Sequence, residues 1–517
     1  MNLFQQKLLT CLNIDLNELP FYFKESSYND LEDPYNFKNM VEVVNRIKKA
    51  IVNKEKIMVY GDYDCDGVCA TSILVKTFSL LNYQVGYYIP SRYIDGYGLN
   101  LNRAQQIKEK GYSLLITVDN GIVCEKEVNY LKENNVDVII TDHHEYEHLL
   151  DCLILHPTLK NDNTTLKQCG AYVAFMLSRA LLNQINDYLL VLASIATISD
   201  MMPLRDYNRD LVKLGLKILN EHAEYPLHLL TKNQIIDEET LGFIVCPKIN
   251  AFGRIKEDTS VNDLVKFLTS DNRLLVSKIA SEINQINEQR KNILSLAINQ
   301  IDFNKYNDKK IIIDRFDDVS EGVIGLVAAR ILQAYQKPCI ILTKSKGETI
   351  LKGSARSIKG FPLNKIFDSV SDLLSSYGGH EEAGGLSLEE KNYSLLVNKI
   401  NDLVKDVEVE KVEEEFLEVN KDDLTYENYL FIKKLSPFGM DYKLPLFKLE
   451  IDNNNISFIG VNKNHIKGQI NDNCSFIGFN LANEIISKNN INCLGLLQYD
   501  DFKKGNNIVF KIEKIDS

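Results

Sequence analysis

The chain has 517 residues, of which 45% are hydrophobic and 25% are charged, and its formal net charge is -12. These proportions are typical of a folded protein of several domains, and they exclude a disordered chain. The acidic balance argues against a uniformly basic nucleic-acid coat and against a protein that binds anionic membrane surfaces.

The ten cysteines are scattered and none forms a C-x-x-C pair, which argues against zinc-ribbon and thioredoxin-type sites and fits a reducing compartment. The first residues lack the basic and apolar regions of a signal peptide. The most apolar segment, Tyr188–Ile198, is shorter than the roughly 20 residues of a membrane span. We therefore predict a cytoplasmic protein without a membrane segment, and a buried helix at this position.

In chain order, residues 1–55 indicate a helical lead-in, with helical apolar spacing over Val41–Ile51. Residues 56–225 then alternate between strands and helices. The predicted strands are the apolar runs at 57–60, 85–89, 114–118 and 136–141. Strands that alternate with helices predict an α/β fold with a parallel sheet covered on both faces.

A helical connector is predicted at 226–304, and it contains one long uninterrupted amphipathic helix from Asp271 to about Ile301. This helix could pack within one domain or link two domains. A second, smaller α/β domain is predicted at 305–412, with strands near Ile311–Asp314 and at 339–343.

The predicted C-terminal domain occupies residues 413–517. A charged run at Glu410–Glu415 precedes it and is typical of a solvated face or linker. Six short alternating segments follow Pro437, and turns rich in Asn and Gly separate them. This pattern predicts a small β-barrel of the oligonucleotide-binding (OB) kind.

Acidic side chains and histidines follow three of the predicted strands and the apolar helix. They are Asp62, Asp64, Asp66, Asp119, Asp142, His143, His144 and Asp200. Because the carboxyl ends of parallel strands meet at one edge of a sheet, we expect these groups to converge. Carboxylates and imidazoles without thiolates suit Mn²⁺ or Mg²⁺, and so many ligands indicate two ions. Two such ions can generate hydroxide and orient a phosphodiester.

Single motifs of this set have simpler interpretations. Asp62-x-Asp64-x-Asp66-Gly could form a calcium loop, although the downstream glutamate of an EF-hand is missing. Asp119-Asn120-Gly121 alone could be a turn, and Asp142 could cap the next helix, with or without binding metal. Two adjacent histidines after an aspartate at a strand end are much less often accidental. Cys65 and Cys69 are interpreted as packing residues.

In their order and spacing, GDYDCDG, TVDNG, TDHH and SDMMPL resemble the four motifs of the DHH phosphoesterase superfamily. Other segments resemble its RecJ-type single-stranded-DNA-specific exonucleases. They are IPSRYIDGYGLN, NAFGRI, GVIGLVAARI, KGSARSI, YGGHEEAGGLSL and PFGMDYKLPLF. The resemblance extends from about Leu31 to the C-terminus. It implies a DHH domain, a DHHA1 domain and an OB barrel, and hydrolysis of single-stranded DNA from its 5′ end to 5′-mononucleotides in repair and recombination.

The resemblance also implies roles for individual residues. The implied metal ligands are Asp64, Asp66, Asp119, His143 and Asp200, with Asp119 bridging two ions. Asp62 and His144 would complete the site as ligands, as groups that support the ligands or as groups that polarise the substrate, with Asp62 counted among the metal ligands. The implied catalytic residues are Asp119, His144 and Asp62. The implied substrate-binding residues are Arg254, Ser354, Arg356, Ser357, Gly379 and His380. A small turn at KGSA would let backbone N–H groups and the Arg356 guanidinium reach a phosphate together. A mobile loop at GGHEEAGG and a surface ion pair at Arg254 are the alternatives.

Two departures from the family pattern affect substrate contacts. Val319-Ser320 stands where the family commonly has Trp-His, and Met440–Lys443 replaces the usual Gly-Asn-Pro. These departures leave the metal set untouched. The predicted stacking residues are Tyr97, Phe361 and Tyr377.

The predicted partner is single-stranded DNA, with a single-strand-binding protein or a helicase as further candidates and a monomer as the expected state. One alternative is the same chemistry on short RNA oligonucleotides or cyclic dinucleotides, which would not need the barrel. The other is an inactive DNA-binding replication scaffold, which would have lost the metal carboxylates.

Overall fold

The structure is a computed structural model. It describes residues 1–517 except 93, 163–165, 233–234, 256–259, 308, 345–348, 406, 408–415, 486–489, 501–504 and 517. The charged run at Glu410–Glu415 lies outside the described residues. Within the described part of the chain, no helix combines the length and the apolar character needed to cross a membrane. Three β-sheets follow one another along the chain, and helices pack around them.

The first sheet has five parallel strands in the order β2-β1-β3-β4-β5. Its strands are β1 (Ile57–Tyr60), β2 (Gly86–Tyr88), β3 (Leu114–Val118), β4 (Asp137–Thr141) and β5 (Leu153–Leu155). Both β1 and β3 are buried along their whole length, as expected of apolar strands between two helical layers. The predicted α/β fold with a parallel sheet is confirmed, while β5 was not predicted.

Nine helices of the described residues surround this sheet or precede it. They are α1 (Leu3–Cys11), α2 (Leu19–Phe23), α3 (Met40–Val52), α4 (Cys65–Leu80), α5 (Leu101–Glu109), α6 (Glu125–Glu133), α7 (Gly170–Leu182), α8 (Asp187–Ser199) and α9 (Asp206–Glu221). Alternate residues of β1 point into two cores. Ile57 and Val59 pack with α3, α4, α7 and α8, whereas Met58 and Tyr60 pack with α5 and α6.

The helical lead-in is divided between two cores. Helix α3 packs in the first domain, although Val41, assigned to its apolar face from the sequence, is 53% exposed. Helix α1 instead places Phe4 and Leu8 in the core of the C-terminal domain. The beginning of the chain therefore contacts the domain at its end.

The connector consists of α10 (Glu238–Thr240), a π-helical turn (Leu241–Val245), α11 (Cys246–Ile255), α12 (Asn262–Thr269) and α13 (Arg273–Asn299). Along α13, Ile279 and Ile283 pack in the core of the first domain. Ala297, near its other end, packs in the core of the second domain. The long helix thus links two domains, which was one of the two alternatives for it.

The second sheet is mixed, in the order β6-β7-β8-β10-β9. Its strands are β6 (Ile312–Arg315), β7 (Cys339–Lys344), β8 (Ile350–Arg356), β9 (Ser376–Gly379) and β10 (Ala383–Glu389), and its helices are α14 (Glu321–Tyr335), α15 (Leu363–Ser369) and α16 (Tyr393–Leu403). The prediction of a turn at KGSA is wrong, because these residues lie in β8 and pair with strands on both sides. The glycine-rich segment forms the β9–β10 hairpin.

The C-terminal domain contains one seven-stranded sheet in the order β11-β12-β16-β17-β15-β14-β13. Its elements are β11 (Phe416–Glu418), α17 (Tyr426–Leu435), β12 (Leu446–Asp452), β13 (Ser457–Ile459), β14 (His465–Asn471), β15 (Cys474–Gly478), β16 (Asn490–Tyr499) and β17 (Ile508–Asp516). All six predicted strands are present. Strand β11 and helix α17 were not predicted.

Candidate active site

The carboxyl ends of β1, β3 and β4 bring the predicted metal ligands together. In a parallel sheet of this strand order, the switch point between β1 and β3 is where ligands bind. The Nε2 atom of His143 lies 3.1 Å from Asp119 Oδ1, 3.6 Å from Asp200 Oδ2 and 3.7 Å from Asp66 Oδ2. The sequence prediction that these side chains converge is therefore matched by their positions.

Among the described residues, three overlapping groups of side chains place candidate ligand atoms within 4.8 Å of one another. They are Asp119–His143–His144, Asp66–His143–Asp200 and Asp62–Asp64–Asp119. Asp119 and His143 each belong to two of the groups. The seven residues are those that the sequence assigned to metal binding and catalysis.

We call these seven side chains the metal cluster, and its aspartates fit divalent cations. Buried carboxylate oxygens of Asp62, Asp119 and Asp200 have no hydrogen-bond partner among the described residues. Burial, followed by the negative charge of neighbouring aspartates, raises the pKa of Asp66 to about 7 and that of Asp200 to about 8. A buried carboxylate without a partner is costly, so oxygen-rich sites of this kind suit Mn²⁺ or Mg²⁺.

Helix α7 holds Asp66 in place from a distant part of the chain. The backbone N–H groups of Gly170 and Ala171 donate to the two carboxylate oxygens of Asp66, each at 2.7 Å. The first N–H groups of a helix have no partner within the helix, and the helix dipole also favours a negative charge at this end. On α4, Asp64 caps the helix by accepting from Gly67 N at 3.0 Å.

Gly170 also makes room for Asp119. A Cβ atom at position 170 would lie 2.5 Å from Asp119 Cβ and 2.6 Å from Asp119 Oδ1. Asp119 itself has a φ of 60°, in the left-handed region. The carboxylate shared by two ligand groups thus sits in a tight turn against the first residue of α7.

The two histidines have different environments. Burial, together with the positive charge of His144, lowers the pKa of His143 to about 3, which keeps its imidazole neutral and able to bind metal. Burial opposes the charged form of His144 too, but the hydrogen bond to Asp142 at 2.7 Å raises its pKa to about 9. Tyr97 Oη lies 3.0 Å from the other ring nitrogen of His144.

Asp142 orients its neighbours and caps no helix. Its Oδ1 accepts from His144 Nδ1 and from the backbone N–H of His143, and its Oδ2 accepts from Ile122 N at 3.0 Å. The alternative of a helix cap is wrong, because no helix of the described residues begins between β4 and α7. A carboxylate that fixes a metal-site histidine in this way is common in metalloenzymes.

A cleft of about 690 Å³ separates the second domain from the first domain and connector. Arg92 and Arg254 line one side, and Ser354 and Arg356 line the other, together with the first turn of α14 and the β9–β10 hairpin. Among the described residues, and with Lys352 included, the cleft lining has four cationic side chains and one carboxylate, Glu321. Clustered guanidinium groups beside a helix N-terminus are suited to phosphate.

Arg254 connects the cleft to the metal cluster. Burial, then the positive charge of Arg92, lowers its pKa to about 10, while the charge of Asp64 opposes this shift. On the same helix, Asn250 Oδ1 accepts from Cys65 N at 2.8 Å. Helix α11 therefore contacts the metal-binding loop and also presents a cation to the cleft.

The sequence analysis did not predict Arg92 as a site residue, although Arg92 belongs to IPSRYIDGYGLN, one of the segments that resemble the family. Its guanidinium stacks on the ring of Tyr63, 4.2 Å from the ring centre. In the sequence, Tyr63 stands between the predicted metal ligands Asp62 and Asp64. An arginine shortly after the second strand of a parallel sheet was a usable signal. Gly325 on α14 was also missed, and its Cα faces Ser354 and Arg356, since a Cβ there would lie 3.2 Å from Ser354 Oγ.

Other predicted contacts lie away from the cleft lining. Ser357 is buried and its hydroxyl donates to the Phe361 carbonyl, while Phe361 is itself buried in the core and is unavailable for stacking. His380 is exposed in the turn after β9. Gly379 has a φ of 134° and lets the hairpin close, whereas Tyr377 is exposed and lines the cleft.

The backbone around KGSA cannot bind phosphate as the sequence suggested. Its N–H and carbonyl groups belong to ladders with β7 and β10, so only side chains of β8 reach the cleft. Arg356 Nη1 donates to Ala355 O at 2.8 Å and to Ser354 Oγ at 3.2 Å. Ser320, at the position of the family's histidine, directly precedes α14, whose first turn lines the cleft.

Three domain families match the chain in order. The DHH family N-terminal domain matches residues 56–198, the DHHA1 domain matches 308–406 and the RecJ OB domain matches 417–514. The single-stranded-DNA-specific exonuclease RecJ of Bacillus subtilis is 35% identical over 96% of this chain. This chain spans 65% of that relative's length. RecJ of Haemophilus influenzae is 30% identical over 84% of this chain and 82% of its own.

Solved structures agree with the fold. A RecJ structure from Thermus thermophilus in complex with Mn²⁺ has a TM-score of 0.81 at 24% identity, and the match covers 99% of this chain and 78% of that one. A structure of exonuclease RecJ bound to manganese has a TM-score of 0.64 at 29% identity, covering 72% of this chain and 96% of that one. With its three domains in this order and its full set of acidic motifs, the chain belongs to the RecJ family of DHH/DHHA1 proteins.

Proposed function

We propose that this protein is a metal-dependent exonuclease that hydrolyses single-stranded DNA from the 5′ end and releases 5′-mononucleotides. The observation that carries the proposal is the cluster of aspartates and histidines directly beside a cationic cleft, in a chain of the RecJ family. Two curated relatives are named as exonucleases specific for single-stranded DNA. The C-terminal OB domain supports a substrate that extends beyond the site of hydrolysis.

Two divalent cations would be held by Asp62, Asp64, Asp66, Asp119, His143 and Asp200, with Asp119 shared between them. When bound, such a pair activates water and stabilises the attacking and leaving oxygens of a phosphodiester. His144 is oriented by Asp142, whose hydrogen bond raises the pKa of the imidazole to about 9 in the metal-free protein, and it could donate a hydrogen bond or a proton to a phosphate oxygen. Asp119, His144 and Asp62 are the catalytic residues of this proposal.

The cleft supplies the second half of the proposed site. Arg254, Ser354 and Arg356 would bind the phosphate next to the one that is cleaved, because they face each other across the cleft beside the cluster. Arg92 joins this set. The glycines of the β9–β10 hairpin have no side chains and would let the DNA strand lie close to the protein backbone. Direct phosphate contacts from His380 and Ser357 would require a rearrangement, so this proposal does not depend on them.

Two other functions were considered from the sequence. A phosphodiesterase of short RNA or cyclic dinucleotides shares the chemistry but does not account for the C-terminal domain. An inactive scaffold does not account for an intact set of ligand groups with buried oxygens that lack partners among the described residues. The monomeric state and a single-strand-binding protein or helicase as partner stay predictions.

One panel of substrates tests the proposal. The enzyme is incubated with 5′-labelled and 3′-labelled single-stranded DNA, blunt duplex, short RNA and a cyclic dinucleotide, each with Mn²⁺ or with EDTA. We expect mononucleotides to be released rapidly from the 5′ label of single strands, and only with metal. Faster release from the 3′ label, or preferential hydrolysis of the cyclic dinucleotide, would replace this proposal by another.

A further inference from the structure

Arg209 is a buried cation at the junction of three parts of the chain. It belongs to α9 of the first domain and is only 2% exposed. Its guanidinium donates to the carbonyls of Leu435, Ser436 and Pro437 at 2.6, 3.0 and 2.8 Å. These acceptors belong to the stretch that leads from α17 into β12, residues 435–440, which we call the docking segment.

The hydrogen bonds of Arg209 stabilise the attachment of the docking segment to α9. The carbonyls at the C-terminal end of α17 have no partner within the helix, and the helix dipole makes this end favourable for a cation. A buried guanidinium without hydrogen-bond acceptors would be costly. Separation of the segment from α9 would therefore leave both groups without partners.

Glu238 of the connector binds the hydrogen-bond donors of the docking segment. The Glu238 carboxylate, also buried, accepts from Phe438 N at 3.1 Å and from Ser436 Oγ at 2.8 Å. A cation thus binds the carbonyls of the segment while an anion binds its donors. This complementarity fixes the orientation of the segment as well as its position.

The docking segment also contacts the part of the chain that follows the predicted metal ligand Asp200. Leu204 lies between the predicted ligand Asp200 and the start of α9, and its N–H donates to Met440 O at 3.0 Å. Gly439 lies so close to Leu204 that a Cβ would come within 2.7 Å of its Cδ1 atom. The position of the C-terminal domain is therefore set within a few residues of a predicted metal ligand.

We propose that Arg209 is a positioning residue that aligns the C-terminal domain with the metal cluster and thereby determines the preference for long strands over short ones. The inference rests on the proposed function, since it needs a strand that spans both domains. The free-energy gain from the second binding surface depends on the two surfaces being held at a fixed distance. A short oligonucleotide that reaches only the cleft gains nothing from this alignment.

The experiment compares Arg209→Met and Arg209→Lys with the parent and with Lys217→Met. Lys217 is the control because it also lies on α9, is 52% exposed and pairs with the exposed Glu25 carboxylate at 3.3 Å, an ion pair of a kind that contributes little. For each protein, kcat/KM is measured on a 5′-phosphorylated strand of about 20 nucleotides, longer than one OB-fold site, and on a trinucleotide. Hydrogen exchange of residues 435–440 is followed in the same samples.

For Arg209→Met we expect the ratio of long-strand to short-strand kcat/KM to fall by about tenfold or more, because hydrogen bonds to a charged group are lost. Exchange should rise in the docking segment while that of α4 and α8 is kept. Arg209→Lys should fall between the parent and Arg209→Met, since an ammonium cannot bind three carbonyls as a planar fork does. Lys217→Met should keep the parental ratio.

An unchanged ratio with a protected docking segment would overturn the inference, and so would an equal loss on both strands. A parent protein that hydrolyses neither strand would overturn the proposed function instead. In that case, parental exchange of residues 435–440 in Arg209→Met would separately disprove the attachment.

Discussion

Replacement of Gly170 by alanine tests how the metal cluster is built. The added methyl would lie 2.5 Å from Asp119 Cβ and 2.8 Å from Asp119 Cα. Since carbon atoms pack best at about 3.5–4.0 Å, relief requires a movement of about 1 Å. Either Asp119 or the start of α7 must move, and the latter carries the two N–H groups that hold Asp66.

The expected effect is large on activity and smaller on stability. A displacement of about 1 Å at a reacting centre can lower the rate by about 100-fold, which corresponds to about 2.7 kcal/mol. Overpacking costs about 1–3 kcal/mol of unfolding free energy, and the better helix propensity of alanine offsets up to about 1 kcal/mol of this. We expect kcat/KM on single-stranded DNA to drop by about 100-fold while Tm falls by only a few degrees.

The assay combines kinetics with calorimetric titration of Mn²⁺, which should show weaker binding in Gly170→Ala. Gly242→Ala is the control, because this helical glycine has room for a methyl, with Ile198 Cγ2 as its nearest neighbour at 3.5 Å. A Gly170→Ala enzyme with parental kcat/KM and parental affinity for Mn²⁺ would refute the reasoning that this contact sets the ligand geometry.

Asp119→Ala should abolish hydrolysis and leave the circular dichroism spectrum unchanged, because it removes a carboxylate shared by two ligand groups; a variant as active as the parent would contradict the two-metal site. Arg356→Ala should reduce the preference for 5′-phosphorylated over 5′-hydroxyl ends in competition assays, whereas the exposed Arg330→Ala on the same domain should not; equal loss on both ends would indicate a general role. Stabilisation by Mn²⁺ should increase between about pH 6 and pH 8 in thermal denaturation, since the pKa of Asp66 is raised to about 7 and that of Asp200 to about 8. The metal-free protein should change in the opposite sense, because these two carboxyls, ordinarily ionised above about pH 4, favour the folded state when protonated and lose that contribution as pH rises to about 8. A metal-induced Tm shift that does not depend on pH would contradict the first expectation, and a metal-free Tm that does not fall as pH rises to about 8 would contradict the second.

The sequence was sufficient wherever the signal is local. Mainly apolar runs of four to six residues that alternate with helical segments predicted β1, β3 and β4, because burial between two helical layers demands such runs. The acidic residues that follow these strands then had to meet at one edge. The chemistry of that edge, oxygen and imidazole without thiolate, could be predicted from residue types alone.

The tertiary structure decided which groups support and surround the cluster. Residues 66 and 170 are 104 positions apart, and only the packing of α4 against α7 brings the α7 N-terminus to Asp66. KGSA was mistaken for a turn because glycine and serine suggest one locally, whereas pairing with β7 and β10 makes it a central strand. Ser357 and Phe361, which follow β8, are buried in contact with each other instead of lining the cleft.

The first residues of the chain show the same limit most clearly. A helical lead-in was predicted for residues 1–55, yet the apolar side chains of α1 pack in the C-terminal domain, where Phe4 contacts Phe447 at 5.6 Å between ring centres. Residue types and spacing thus determined most of the strands, the long connecting helix, the metal chemistry and the family. Long-range packing decided the partner of each face and the alignment of the domains, because such contacts depend on the whole fold and leave no pattern in neighbouring residues.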